Sequence, residues 1–165
     1  MNNKKILFFV GILLILHMTF IFQLSNRNAD LSSKDSAKTL NVVKVITDEE
    51  LKNYIEGKPV ENIGIKQRLI RKFAHFSFYL ILGMILYCFI YLLKKPFVYA
   101  VMFGIFFALT DEFHQLFISG RGGRLFDVYI DSLGSTIGVF IMYGIIELIL
   151  YLKRKKCLNK NNDHN

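Results

Sequence analysis

Carboxylate and histidine side chains occur in two stretches of this sequence at helical spacing. Arg71, His75 and Tyr79 are four residues apart, and residues 111–115 read Asp-Glu-Phe-His-Gln. Side chains four residues apart lie on one face of an α-helix. A histidine beside a carboxylate can move protons to and from a substrate. These residue types indicate acid–base chemistry, and the candidate catalytic residues are His75, Asp111, Glu112, His114 and Asp127.

A third stretch adds cations and a further carboxylate. Arg124, Asp127 and Asp131 occupy positions i, i+3 and i+7 of a helix that follows a short loop. Guanidinium groups hold phosphates and carboxylates through paired hydrogen bonds. The candidate residues for binding an anionic substrate are Arg71, Gln115, Arg121, Arg124 and Asp131.

Several of these residues also have a structural interpretation. Arg121 and Arg124 can bind lipid phosphates, and Asp127 can interact with the first turn of the helix that begins near it. Small residues four apart allow helices to approach closely in a membrane. Packing or interface roles are predicted for His17, Gly134, Gly138 and Glu147.

No metal or cofactor is assigned from the sequence. The alternative is a metal ion held by mixed oxygen and nitrogen ligands, which would come from Asp111, His114 and either Asp127 or His75. The chain lacks a strong zinc spacing, however. It also lacks an obvious nucleophile, because Ser77 lies off the helix face of His75.

Long apolar runs must position these groups. Hydrophobic residues make up 53% of the chain, and their runs are longer than a soluble core of this size needs. About 20 residues of helix cross a hydrocarbon layer about 30 Å thick. The sequence predicts an all-α integral membrane bundle of four transmembrane helices, over approximately residues 6–24, 73–93, 97–118 and 127–152. A cleaved signal peptide is the competing interpretation of the first run, but no small-x-small site follows it.

The membrane domain is predicted to cover residues 1–156. A polar segment outside the cytoplasm, residues 25–72, joins the first two spans. Residues 23–35 are rich in Ser, Asn and charged residues and are predicted to be irregular. The sequence Thr47-Asp-Glu-Glu is typical of a capped surface helix that continues to Ile55. Residues 157–165 are predicted to form a disordered tail.

The depth of Asp111 in its span restricts its chemistry. Only residues 97–110 precede it, or about 21 Å of helix, so its carboxylate is expected below the edge of the hydrocarbon. A buried carboxylate there must be paired or protonated. Pairing with Arg124 or with a histidine is expected.

Lysine clusters predict the orientation. Lys4, Lys5, Lys94, Lys95 and residues 153–156 fall on one side of four spans, and the positive-inside rule makes that side cytoplasmic. The basic residues of the polar segment favour the opposite orientation. The lysine clusters lie directly beside helix ends, and we give them more weight than the polar segment. We expect a multi-pass protein of the cell membrane with both termini cytoplasmic and the ionisable cluster near the outer face. The net charge of +8 then requires no nucleic acid.

Several blocks of the sequence resemble the VanZ-like family. In chain order they are residues 23–26, residues 71–76 with Tyr79 and Gly83, residues 108–117, Arg121, residues 124–128, and residues 131–134 with Gly138. The Asp-Glu-x-His-Gln block followed by Arg and Asp is specific. The resemblance covers nearly the whole chain apart from residues 44–65 and the tail.

The resemblance implies a small bacterial membrane protein, linked in some members to lower sensitivity to glycopeptide antibiotics such as teicoplanin. It implies no particular reaction. We therefore expect a cell-envelope protein that binds or alters an anionic lipid headgroup or a cell-wall precursor at the outer leaflet, with membrane lipids as its partners. The alternative is a membrane-embedded hydrolase or transferase that acts on a lipid or lipid-linked headgroup. A transporter is disfavoured because the inner halves of the spans are apolar.

Overall fold

A computed structural model describes residues 3–27, 29–118 and 124–162. Within these ranges the chain is helical and contains no strand, which confirms the predicted all-α class. The helices are α1 (Asn3–Ser25), α2 (Ala29–Val42), α3 (Asp48–Ile55), α4 (Ile63–Leu92), α5 (Val98–Gln115) and α6 (Leu125–Asn162).

Three helices in the described part of the chain are long and apolar enough to cross a membrane. They are α1, α4 and the stretch of α6 that ends at Lys156. The remaining predicted span corresponds to α5, which has 18 residues and a length of about 27 Å. Its polar end, residues 110–115, lowers its mean hydropathy. The chain is therefore a membrane protein with three strongly apolar helices and a fourth, less apolar one.

Helices α1 and α4 lie side by side and run in opposite directions. His17 Nε2 is 3.0 Å from the carbonyl oxygen of Phe78, to which the imidazole donates a hydrogen bond. Earlier in α1, a Cβ added at Gly11 would lie 3.3 Å from the ring of Phe89. The packing role predicted for His17 is thus confirmed as a hydrogen bond between helices.

Helices α4 and α6 run in the same direction and approach each other closely. A Cβ added at Gly134 would lie 2.6 Å from the carbonyl oxygen of Phe76, and one added at Gly138 would lie 2.0 Å from that of Leu80. Only glycine leaves room for backbone at such distances, as in other membrane helix pairs with small residues four apart. The packing role predicted for both glycines is confirmed.

Helix α5 runs back between these two parallel helices. Near its start, Phe97 packs on Tyr143 with ring centroids 6.1 Å apart. In its middle, Gly104 lies against the hydroxyl of Ser135. Its last turns carry Asp111, which lies beside Asp131 near the start of α6. The polar ends of α4, α5 and α6 therefore meet at one end of the bundle.

The polar segment is more helical than predicted. Helix α2 occupies residues expected to be irregular, because Ala37 and Leu40 are buried where α2 packs on α4. Helix α3 confirms the predicted cap. The Thr47 side chain accepts a hydrogen bond from the backbone N–H of Glu50, whose carboxylate accepts one from the backbone N–H of Thr47.

Helix boundaries also differ from the predicted spans. Helix α4 begins at Ile63, well before residue 73, and α5 ends at Gln115 rather than 118. Helix α6 continues to Asn162, into the stretch 157–165 predicted to be a disordered tail. Residues 153–156 are Lys and Arg, which are good helix formers, so the helix continues past the apolar part of its sequence.

Candidate functional site

Two fully buried carboxylates form the centre of the site. Asp111 of α5 is 0% exposed and Asp131 of α6 is 1% exposed. His75 of α4 completes the group, with Nδ1 3.5 Å from Asp131 Oδ2. One nitrogen or oxygen atom from each of these three residues lies within 4.8 Å of the others. We call His75, Asp111 and Asp131 the acid–histidine cluster.

The end of α1 fixes the carboxylate of Asp111. Ser25 Oγ donates a hydrogen bond to Asp111 Oδ2 at 2.8 Å, and Gln115 Nε2 lies 3.4 Å from the same oxygen. Asp111 Oδ1 has no hydrogen-bond partner among the described residues. One carboxylate oxygen is therefore held by its neighbours, and the other is left available inside the bundle.

Other buried polar atoms near the acid–histidine cluster also lack hydrogen-bond partners. Within the described ranges these atoms include Tyr79 Oη and Ser135 Oγ, and both side chains are 1% exposed or less. A buried polar group without a partner destabilises the fold. Such a concentration of these groups in one place indicates a functional site.

Glu112 has a different role from its neighbour Asp111. Its Oε2 accepts a hydrogen bond from the backbone N–H of Arg124 at 3.0 Å, which joins the end of α5 to the start of α6. Of the two partners expected for Asp111, the Arg124 side chain makes no ion pair with it, whereas a ring nitrogen of His75 lies within 4.8 Å of its carboxylate. Consecutive residues on a helix point about 100° apart, so only the carboxylate of residue 112 reaches this turn.

Asp127, predicted as a catalytic candidate, does not join the acid–histidine cluster. Its Oδ1 lies 2.6 Å from Lys72 Nζ, and the same ammonium group lies 4.4 Å from the ring centroid of Phe126. Both charged side chains are about a third exposed. The pair thus connects α4 to the first turn of α6 at the edge of the site.

His114 also points away from the acid–histidine cluster. Its imidazole stacks on Phe22 with ring centroids 4.2 Å apart, and its Nε2 lies 3.4 Å from Asn26 Oδ1. His114 therefore contacts the end of α1. Of the metal ligands considered from the sequence, only Asp111 and His75 lie together, and Asp131 completes the group.

A cavity of about 320 Å³ lies beside the acid–histidine cluster, between α1, α2 and α4. Phe20, Leu24 and Phe78 contribute to its apolar wall, whereas Arg71 and His75 contribute polar groups. His75 thus borders both the cavity and the buried carboxylates. The cavity combines an apolar surface with a cation, as expected of a site for an amphipathic anion.

Arg71 gives the cavity its positive charge. Among the described residues its guanidinium group makes no ion pair, whereas Arg27, which also lines the cavity, pairs with Asp35. Arg68 and Arg124 are close enough to Arg71 to repel it electrostatically, whereas Asp127 attracts it. An anion bound in the cavity would relieve this repulsion and accept hydrogen bonds from Arg71.

The family model described as VanZ/LLP1 matches residues 9–150. The chain belongs to the VanZ/LLP1 family. This match confirms the resemblance found in the sequence and includes the acid–histidine cluster and every residue of the cavity wall. No curated protein and no solved structure matches the chain.

The structure brings some of the predicted site residues of this VanZ/LLP1 protein together and separates others. The structure brings together His75, Asp111, Gln115 and Asp131, and it places Arg71 at the adjoining cavity. Arg121 lies outside the described residues. The site candidates did not include Ser25, Tyr79 and Ser135. Tyr79 follows His75 by one helical turn, a signal that could have identified it, whereas no sequence pattern links Ser25 to Asp111.

Proposed function

We propose that this VanZ/LLP1 protein binds a phosphate-bearing lipid or lipid-linked cell-wall precursor at the outer leaflet and thereby lowers sensitivity to glycopeptide antibiotics. The observation that supports binding is the cavity between α1, α2 and α4, where Arg71 lies opposite an apolar wall. A phosphate headgroup would accept hydrogen bonds from Arg71 and His75. Its hydrocarbon chain would pack on Phe20 and Phe78.

We also propose that all four long helices cross the membrane, with both termini in the cytoplasm. The parallel arrangement of α4 and α6 supports this topology, because two helices that cross in the same direction need a return crossing between them. Helix α5 runs antiparallel to both, and Met102 and Phe106 on its surface are 61% and 63% exposed. Apolar side chains so exposed suit contact with lipid.

Lipid binding can be tested with purified protein in phosphatidylcholine nanodiscs. A polyisoprenyl phosphate, phosphatidic acid and phosphatidylglycerol would be added separately, and retained lipid would be measured by native mass spectrometry. Arg71→Gln should weaken retention of the bound anionic lipid by about tenfold or more, because a hydrogen bond to a charged group is lost. Arg68→Gln is the matched control, since Arg68 is exposed and does not line the cavity.

The control should reduce binding much less than Arg71→Gln. Equal losses in the two variants would show that general positive charge, rather than the cavity, attracts the lipid. Retention of phosphatidylcholine alone would reject the proposed anion site.

A second candidate function is an enzyme that alters the same headgroup. The observation that favours it is the contact between His75 and the buried Asp131 at the cavity wall, because a carboxylate can orient an imidazole that accepts a proton from water or a hydroxyl group. Lipid and precursor profiles of cells with and without the protein distinguish binding from turnover. A species that appears or disappears with the wild type but not with Asp111→Asn would favour the enzyme.

The proposed role in antibiotic sensitivity requires activity and abundance to be measured separately. His75→Gln, Asp111→Asn and Arg71→Gln should each abolish the effect on teicoplanin sensitivity while protein abundance stays near wild type. His17→Gln and Glu147→Gln are controls that should keep the effect. Loss of the effect only in proportion to lost protein would indicate a structural network instead of a working site.

A further inference from the structure

The acid–histidine cluster presents three ligand-type side chains from three helices to one buried point. His75, Asp111 and Asp131 each offer an atom within 4.8 Å of the other two. Ligands about 2.0–2.2 Å from a metal ion lie roughly 3–4 Å from one another. Small side-chain adjustments would therefore bring all three atoms to a common ion.

Charge balance inside the bundle favours a cation at this point. Asp111 and Asp131 are both fully buried, and two carboxylates so close in an apolar surrounding must be protonated or compensated by positive charge. Within the described ranges, no lysine or arginine pairs with either carboxylate. A divalent ion together with two carboxylates and a neutral imidazole has no net charge.

Unpartnered polar atoms provide a second, independent indication of a ligand. Asp111 Oδ1 has no hydrogen-bond partner among the described residues, and neither has the completely buried hydroxyl of Tyr79. Tyr79 lies close enough to both carboxylates to interact with them electrostatically. A bound ion would be coordinated by the two carboxylates, and Tyr79 could hydrogen-bond to them or to a water molecule on the ion.

We propose that His75, Asp111 and Asp131 bind one divalent cation of the Mn²⁺ or Zn²⁺ class. An imidazole nitrogen combined with carboxylate oxygens suits these ions, whereas Mg²⁺ and Ca²⁺ prefer oxygen ligands alone. Ser25 and Gln115 orient Asp111 through its other oxygen, as neighbouring hydrogen bonds do at metal sites. The cation site is distinct from the lipid cavity and touches it only through His75.

Metal binding can be measured on the full chain in detergent, without any phosphate lipid. Protein dialysed against a chelator would be equilibrated separately with Mn²⁺, Zn²⁺, Mg²⁺ and Ca²⁺, and bound metal would be counted by mass spectrometry. We expect about one Mn²⁺ or Zn²⁺ per chain and a higher melting temperature with metal. His75→Gln, Asp111→Asn and Asp131→Asn should each abolish stoichiometric binding.

Two further variants separate the site from general folding. Asp127→Asn removes a carboxylate of the same helix as Asp131, but one that pairs with Lys72, and it should keep wild-type affinity. Ser25→Ala should weaken binding by about 10–100-fold, because Asp111 loses its orienting hydrogen bond. Electron paramagnetic resonance of bound Mn²⁺ in the wild type gives a readout that does not depend on any variant folding.

The proposal is overturned if none of the four cations binds the wild type. It is equally overturned if Asp127→Asn loses metal as completely as Asp131→Asn, and selective binding of Mg²⁺ or Ca²⁺ would reject the Mn²⁺ or Zn²⁺ class. Because no phosphate lipid is present, these outcomes leave the lipid-binding test of Arg71→Gln unaffected.

Discussion

At the scale of single residues, the geometry of the site depends on which group each carboxylate contacts. Asp111, Glu112, Asp127 and Asp131 lie within a short distance along the chain, yet each has a different partner. Asp111 binds Ser25, Glu112 binds a backbone N–H, Asp127 binds Lys72 and Asp131 approaches His75. Their chemical roles follow from these partners rather than from their common residue type.

Ser25 is predicted to stabilise the fold through Asp111. Ser25→Ala should lower the free energy of unfolding by about 1–3 kcal/mol, because a buried acceptor loses a donor. Chemical denaturation in detergent micelles measures this change. Ser77→Ala is the matched control, since the Ser77 hydroxyl bonds only to the Phe73 carbonyl of its own helix at an exposed position. Equal losses in the two variants would contradict the assigned role of Ser25.

The Lys72–Asp127 pair is predicted to contribute little by itself. A double-mutant cycle with Lys72→Met and Asp127→Asn should give a coupling energy of roughly 0.2–1 kcal/mol, because both side chains are partly exposed to solvent. The coupling should decrease at high salt. A coupling of several kcal/mol would show instead that the pair is shielded from solvent and belongs to the buried site.

The sequence predicted residue types better than residue contacts. Spacing placed His75 and Tyr79 on one helix face, and the depth of Asp111 indicated a buried carboxylate. The partner of Asp111 could not be predicted, because Ser25 is 86 residues away in the chain and serines are common where a helix leaves the membrane. Only the packing of α1 against α5 brings the two side chains together.

At the scale of helices, the close approach of α4 and α6 holds the site together. A Cβ added at Gly83 would lie 1.9 Å from the carbonyl oxygen of Ser135, so this contact continues the one made by Gly134 and Gly138. Asp131 lies one helical turn before Ser135 on α6. His75 lies on α4, opposite Asp131. The distance between the two site residues is thus set by the packing of glycines against backbone.

Gly138→Ala and Gly144→Ala are predicted to have different effects on stability. A Cβ at Gly138 would lie 2.0 Å from the Leu80 carbonyl oxygen, whereas one at Gly144 meets nothing within 4 Å. Overpacking should cost about 1–3 kcal/mol in the first variant, and the second should be neutral or gain up to about 1 kcal/mol from helix propensity. Melting temperature in detergent and abundance in the membrane measure both. A stable Gly138→Ala variant would contradict the close packing of α4 and α6.

Apolar runs predicted the main helices but not their ends. The observed helices extend beyond the predicted apolar spans. Helix α4 begins at Ile63 and α6 ends at Asn162. Helix α2 was missed because its polar composition resembles that of a loop, and its two buried apolar residues, Ala37 and Leu40, give too weak a pattern. Thr47 and Glu50 predicted the start of α3 correctly, because capping is a local interaction.

At the scale of the whole molecule, the two ends of the bundle carry different ionisable groups. The acid–histidine cluster and the cavity lie at the end where α4 and α6 begin. Lys4, Lys94 and Lys95 lie at the other end, where α1 begins and α4 ends. The cluster should therefore face the outer leaflet if the lysines face the cytoplasm.

Cysteine labelling tests this topology and the number of crossings together. After replacement of Cys88 and Cys157 by serine, single cysteines at Ser119 and Asn161 would be treated with an impermeant reagent in intact cells. Four crossings with a cytoplasmic N-terminus predict labelling at Ser119 and none at Asn161. If α5 does not cross, the pattern should reverse, because α6 would then end outside. A cysteine at Asn41 should be labelled in both cases, since it follows the first crossing, and its failure to react would show that the N-terminus lies outside.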